Sequence, residues 1–382
     1  SQQAEVAQAA APAPAQASLL DAGGSVVFTM YTGNQQDIYV LGTGQQQPTR
    51  ITDSSADDRT PAWSPDGSRI AFSSRRDGNW ELYIVELESG NLTRLTYDLA
   101  YESHPTWSPD GLWLAYEGYV NGNLDIYILR SDGSEGPFAV TRNPAPDFHP
   151  RWVTSPEGRE IAYVSLRDGN KEIYLLSLDD PNETAAVNLT RTTDLDEDNP
   201  AWAPGGGTLA YSVVENGQPL VYVTDVNDPA RPPVLIGQGK MPAWSPGGNN
   251  LIFLNDRGGQ SQLLAGQFGS WAASVQSFTL PALASDLSWS TGSLPATPRG
   301  ALAFAATAPR EELYEETLLN EAPPYRLRNL NGVIAEQPYL SDRVDDSFAA
   351  LKVHVNATAG WDFLSRLDHA FWALDRPAEP GA

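Results

Sequence analysis

From residue 25 onward, short apolar runs recur at regular intervals, separated by polar stretches rich in Gly, Pro, Asn and Asp. Apolar triplets stand at 70–72 (IAF), 114–116 (LAY), 161–163 (IAY), 209–211 (LAY) and 251–253 (LIF). Each is followed by a Gly-containing stretch and then an alternating segment such as ELYIVEL at 81–87, DIYIL at 125–129 or EIYLL at 172–176. Apolar–polar alternation with a period of two predicts half-buried strands. Thr-bearing segments close the units: TRLT at 93–96, AVT at 139–141 and NLT at 188–190. Ahead of each triplet stands one phrase: PAWSPDG at 61–67, PTWSPDG at 105–111, PRWVTSPEG at 150–158, PAWAPGG at 200–206 and PAWSPGG at 242–248. A weaker copy, LSWSTG, lies at 287–292. The anchors Trp63, Trp107, Trp152, Trp202, Trp244 and Trp289 are 42 to 50 residues apart. Four short strands and three turns in that span are the period of a β-propeller blade.

The turns agree. Pro65-Asp66-Gly67 and Pro109-Asp110-Gly111 place Pro where φ is preset, then a side-chain acceptor, then Gly. Asp77-Gly78-Asn79, Asn121-Gly122-Asn123 and Asp168-Gly169-Asn170 mark the next hairpin. The recurring Trp is expected in the core between blades, where a large ring fills the interface. WSPDG followed by IAF, DGN, an IYV-type strand and TRLT resembles the TolB-like propeller repeat, a relative of the WD repeat, over roughly residues 25 to 330. The resemblance implies a β-propeller, often periplasmic or at the cell surface, that usually serves as a binding platform.

The expected fold is all-β: a seven-bladed propeller of four-stranded blades, with six blades as the alternative. The pattern of strands two to four also occurs before the first Trp, at 26–28, 37–41 and 49–52, and after the last, at 302–304, 312–318 and 325–330. Strands two to four thus occur seven times and the Trp strand six times. The missing inner strand has two candidates, ASLL at 17–20 and PYLSD at 338–342. Residues 1–20, mostly Ala, Gln and Pro, have too little apolar surface to offset ordering entropy and read as a disordered linker. The propeller is assigned to 21–342 and a C-terminal helical extension to 343–382. There Val344, Phe348, Leu351 and Val355 recur at helical spacing, and Leu364, Leu367 and Phe371 mark a second helix. This pair is expected on the propeller rim, or as a dock for a partner through Trp361, Phe371 and Trp372.

Charge narrows the function. Asp and Glu number 48 against 24 Lys and Arg, a net charge of -24. That opposes gripping a phosphate backbone or an anionic membrane, so neither nucleic-acid binding nor direct membrane insertion is expected. With no cysteine, thiolate catalysis and Cys–zinc sites are excluded. The chain has no GxSxG elbow, P-loop or GxGxxG after a strand. The absent cysteine, the spacer and the resemblance together predict an exported protein, periplasmic or extracellular, its signal sequence already removed.

Three residues before each repeat Pro stand Asp58, Glu102, Asp147 and Glu197, with Asp57, Asp196 and Asp198 beside them. His104 and His149 immediately precede their Pro. The strand order puts all of these at the channel mouth, on the face of the second-to-third-strand hairpins. Asp58, Glu102, His104, Asp147, His149, Glu197 and Asp198 are the expected partner-binding residues, for a protein or peptide with a basic patch. The competing reading is that the acids bond local backbone or tie one blade to the next. Two His and one carboxylate can make an open metal site, but spacing alone does not bring them together, so no metal or other cofactor is assigned. The expected function is a non-enzymatic binding scaffold of the cell envelope. The alternatives are a propeller-type metal-dependent lyase or hydrolase using the His pair, or the propeller part of a propeller-peptidase. An acidic pore has the wrong sign for an anionic uronate, which weighs against the lyase.

Overall fold

The computed structural model describes residues 23–294, except 43, 154–158 and 180–184. They form six four-stranded antiparallel sheets, the blades of a propeller. The first carries β1 (Ser25–Thr32), β2 (Gln35–Gly42) and β3 (Thr49–Arg50). The second is β4 (Asp58–Trp63), β5 (Arg69–Ser74), β6 (Glu81–Glu86) and β7 (Leu92–Arg94). The third is β8 (Tyr101–Trp107), β9 (Trp113–Val120), β10 (Asn123–Arg130) and β11 (Phe138–Ala139). The fourth is β12 (Asp147–Trp152), β13 (Glu160–Ser165), β14 (Glu172–Ser177) and β15 (Val187–Asn188). The fifth is β16 (Glu197–Trp202), β17 (Thr208–Glu215), β18 (Gln218–Asp225) and β19 (Val234–Gln238). The sixth is β20 (Lys240–Trp244), β21 (Asn250–Arg257), β22 (Gln260–Gln267) and β23 (Gln276–Thr279), with the one-turn helix α1 (Trp271–Ser274) before its last strand.

The last described strand, β24 (Ala284–Ser290), completes the first blade rather than opening a new one. It pairs antiparallel with β1, Val26 opposite Trp289 and Ser25 opposite Ser290. The ring therefore has six blades, not seven. The physical reason is that the three strands before Trp63 borrow the last Trp strand, so neither 17–20 nor 338–342 is needed as an inner strand. The triplet-like segments at 302–330, the helical pair at 343–382 and the linker at 1–20 lie outside the described residues. At the seam the backbones approach closely: a Cβ on Gly24, whose φ is +84°, would stand 1.9 Å from the Ser290 carbonyl oxygen.

The repeated residues now have physical roles. All six Trp anchors are buried, each between two blades: Trp63 packs with Val27, Ile38 and Val40 of one blade and Ile70 and Phe72 of the next. Trp107 and Trp244 donate Nε1 hydrogen bonds to the carbonyls of Ala62 and Ala201 on the preceding inner strand. In the WSPDG turns, Asp66 accepts from the Ser64 hydroxyl and the Ser68 N–H, and Asp110 accepts from Ser108 and the Leu112 N–H. In the first three blades the closing Thr is a buried bracket: the hydroxyls of Thr52, Thr96 and Thr141 accept the N–H of Ile38, Leu82 and Ile126 in the third strand. The hairpin Asn reaches across to the next blade. Asn79, Asn123 and Asn170 donate to carbonyls of the loops entering the following inner strands, at Ala100, Asn143 and Leu195.

Candidate functional site

Each inner strand carries the same irregularity. Between Arg59 and Ala62 the register shifts, so that Thr60 and Pro61 together oppose one residue, Phe72, of the neighbouring strand. The same two-against-one bulge occurs in the other five inner strands. At each bulge the first residue has a left-handed backbone: Thr60, His104, His149, Asn199, Met241 and Asp286, with φ between 48° and 59°. These residues make one ring around the channel, and the inner strands that carry them neighbour one another in sequence around it. A left-handed non-glycine residue is costly, most of all a β-branched Thr.

In three blades a side chain of the preceding blade's second strand matches the bulge N–H, and the His104 N–H is accepted by the Thr60 hydroxyl. Thr29 accepts the N–H of Thr60, Glu117 that of His149 and Ser212 that of Met241. All three acceptors occupy the fifth position of a second strand in the preceding blade. Val164 and Leu254 hold that position where no such acceptor exists, and there Asn199 N–H turns to Asp198 and Asp286 N–H to the Met241 sulfur.

The predicted carboxylates occupy equivalent inner-strand positions in four consecutive blades, but they are inside the protein. Asp58, Glu102, Asp147 and Glu197 are at most 2% exposed. Arg76 donates to both oxygens of Asp58, and Arg167 to both of Asp147, each Arg standing on the adjacent hairpin. Glu102 and Glu197 have no such arginine. Burial, with Asp98 and Glu81 adding to it, pushes Glu102 well above the usual carboxylate range, and one of its oxygens has no hydrogen-bond partner. Burial and the neighbouring Glu172 raise Glu197 to about 8, while the Thr192 hydroxyl bonds its oxygens. Asp57 and Asp196 are ties between blades: Asp57 accepts from Gln36 N–H and pairs with Arg75, and Asp196 accepts from Lys171 N–H.

His104, His149 and Asp198 are different, because they keep part of their surface at the channel. The two imidazoles stand with centroids 4.3 Å apart. Between them lies a residue that the sequence reading passed over, Glu117 of β9. Its Oε1 is 2.8 Å from His104 Nδ1 and accepts from the Tyr101 hydroxyl, while its Oε2 accepts from His149 N–H. His149 Nδ1 meets Asp198 Oδ1 at 2.5 Å, and Lys171 Nζ holds the other Asp198 oxygen at 2.8 Å. Asp286 approaches His104 Nε2 at 3.8 Å, linking the first blade to the third. Burial pushes Glu117 and Asp198 up, but their partners outweigh it: His104 and His149 hold Glu117, and Lys171 and His149 hold Asp198, well below the usual range. A signal for Glu117 did exist. The fifth residue of the second strand is Thr29, Ser73, Val164, Ser212 or Leu254 in the other blades, and only here is it acidic.

With this geometry in place, comparison with known proteins places the chain. Residues 7–136 and 120–291 match the family PD40, TolB beta propeller domain. The chain belongs to the TolB beta propeller domain family. The second match ends one residue beyond β24, where the six-bladed ring closes, and it carries no WD-repeat assignment. Among solved structures, TolB from Acinetobacter baumannii is similar with a TM-score of 0.62 at 19% identity, over 70% of this chain and 66% of that one. The chain thus spans just under two thirds of that protein. The putative TolB from Agrobacterium tumefaciens gives 0.52 at 20% identity, over 67% and 88%. A chain of the nidogen/laminin complex gives 0.56 at 13% identity, over 71% and 100%. At these identities the likeness is one of fold. No curated protein matches the sequence. Among the described residues no helix is long and apolar enough to cross a membrane.

Proposed function

We propose that this TolB-family propeller is a non-enzymatic, exported binding scaffold, periplasmic or extracellular, that captures a protein or peptide over the hairpin face of its channel. One observation carries the reading. At the six ring positions the backbone is the same strained conformation in every blade, while the side chains are Thr, His, His, Asn, Met and Asp. A ring kept for architecture alone has no need of six blades with five chemistries, and strained positions of this kind cluster where a protein binds something. The family supports a scaffold role, and the nidogen/laminin complex is a propeller of similar fold seen with a protein partner. Of the predicted residues, we assign partner contact to His104, His149 and Asp198, whose partial exposure supports it. Asp58, Glu102, Asp147 and Glu197 act from within, by fixing the strands, while the net charge of -24 over the whole chain supplies the negative field that favours a basic patch.

A photo-crosslinking residue at Tyr119 or Val214, both exposed at the hairpin face, is expected to trap a specific partner from an envelope extract, and one at Leu112, exposed in a WSPDG turn at the other end of the strands, is not. Equal trapping at both ends, or trapping from Leu112 alone, overturns the proposal.

A further inference from the structure

We infer that His104, Glu117 and His149 form a binding site for a divalent transition-metal ion at the channel. One donor atom from each residue can be chosen so that all three lie within 4.8 Å of one another, close enough to share a single ion. The three come from two blades, through β8, β9 and β12, so the fold rather than a local loop assembles them.

Each donor is already oriented. Glu117 is buried and held at both oxygens, by Tyr101 and by the His149 backbone. His149 has its Nδ1 on Asp198, which makes Nε2 the nitrogen it offers to an ion. A carboxylate behind an imidazole in this way fixes ring and tautomer and raises ligand basicity, as outer-sphere partners of metal-bound His do. Lys171 steadies that carboxylate in turn. His104 Nδ1 and Glu117 Oε1, 2.8 Å apart, are near the separation of adjacent ligands on bonds of about 2.0–2.2 Å.

The donor set and the charge together select the ion. Two imidazoles and one carboxylate suit Zn²⁺, Co²⁺, Fe²⁺ or Mn²⁺, whereas Ca²⁺ and Mg²⁺ take oxygen ligands. Around the site Glu117, Asp198 and Asp286 are offset by Lys171, Arg151 and Arg59, which interact electrostatically with them. With the fixed charges balanced, affinity rests on nitrogen lone pairs rather than on surplus negative charge, which disfavours hard cations further. Three protein ligands leave coordination positions for water or for a group on a partner.

Chelator-treated full-length protein at pH 7.5, titrated with Co²⁺, tests this. One equivalent is expected to bind with a visible ligand-field band that Zn²⁺ abolishes and excess Ca²⁺ or Mg²⁺ does not. His104→Ala and His149→Ala are each expected to weaken Co²⁺ binding by at least about 10–100-fold. The isosteric Glu117→Gln should weaken it similarly and serves as the deciding variant if either alanine variant fails to melt cooperatively. His354→Ala/His369→Ala, which removes the other two of the four histidines, should bind as the unmodified chain does. Absence of the band, or undiminished binding in folded His104→Ala/His149→Ala or Glu117→Gln, overturns the proposal.

Discussion

Two kinds of buried acid sit at one repeat position, and they should respond to substitution in opposite ways. Asp58 is ion-paired to Arg76 with almost no solvent. Removing one partner of such a pair leaves a charge buried and unmatched, so Asp58→Ala should cost about 3–5 kcal/mol in chemical denaturation. A loss below about 1 kcal/mol would mean that Arg76 swings into water. Glu197, held at about 8 by burial and Glu172, keeps its proton in the folded chain well above the unfolded value of about 4.3. The native state then binds more protons than the unfolded state between those values, so this residue's contribution is full below about 4.3 and lost as pH rises through 8. Glu81, raised by burial to about 7 against Arg94, acts in the same direction. Glu197→Gln, which keeps the shape and removes the charge, should therefore raise Tm at pH 8.5 and change it little at pH 4.5. A shift of equal size at both pH values would contradict the assignment. Sequence singled out these acids as one repeated position, three residues before each inner-strand Pro. Their burial was not legible, because the arginines that cover Asp58 and Asp147 arrive from a hairpin 18 or 20 residues away.

Among the elements, the inner strand is where the repeat is most legible and least complete. The Trp spacing, the WSPDG turn and the DGN hairpin each predicted a contact that the structure contains, because each acts within a blade or on its nearest neighbour. Trp107 is 5% exposed and bonded to Ala62, so Trp107→Ala should cost about 3–5 kcal/mol in urea unfolding. A cost near zero would mean that the ring does not fill the blade interface. The left-handed bulge left no such mark, since nothing in Thr, His, Asn or Met before Pro announces a positive φ. Nor could spacing bring Glu117 to His104 and His149, because that meeting depends on how far one blade is rotated from the next. Blade number failed for a related reason: counting strand patterns does not say which strand an edge will borrow.

For the whole molecule the borrowed strand is the controlling feature. Ser25 and Ser290 are paired across the seam, and the chain has no cysteine of its own. Oxidised Ser25→Cys/Ser290→Cys should therefore form one defined disulfide and gain about 2–5 kcal/mol, mostly by restricting the unfolded chain. The gain should vanish on reduction. Failure of the two thiols to join would argue against the observed register. Gly24→Ala should lower stability at the same seam, since its Cβ has no room beside the Ser290 carbonyl.

That seam also sets a timetable. Trp289 reaches back to Gly23 across 266 positions, so the first blade to leave the ribosome is the last to be finished. Until the final strand arrives, its β1 edge is an unpaired template open to other chains. Pairing so distant in sequence slows folding, because the loop entropy must be met before the contacts form. Once closed, the ring has no terminal repeat from which fraying could begin, unlike an open solenoid whose units interact only with near neighbours. Unfolding should accordingly start by releasing one strand, and kinetic persistence of the whole protein is set at a single latch.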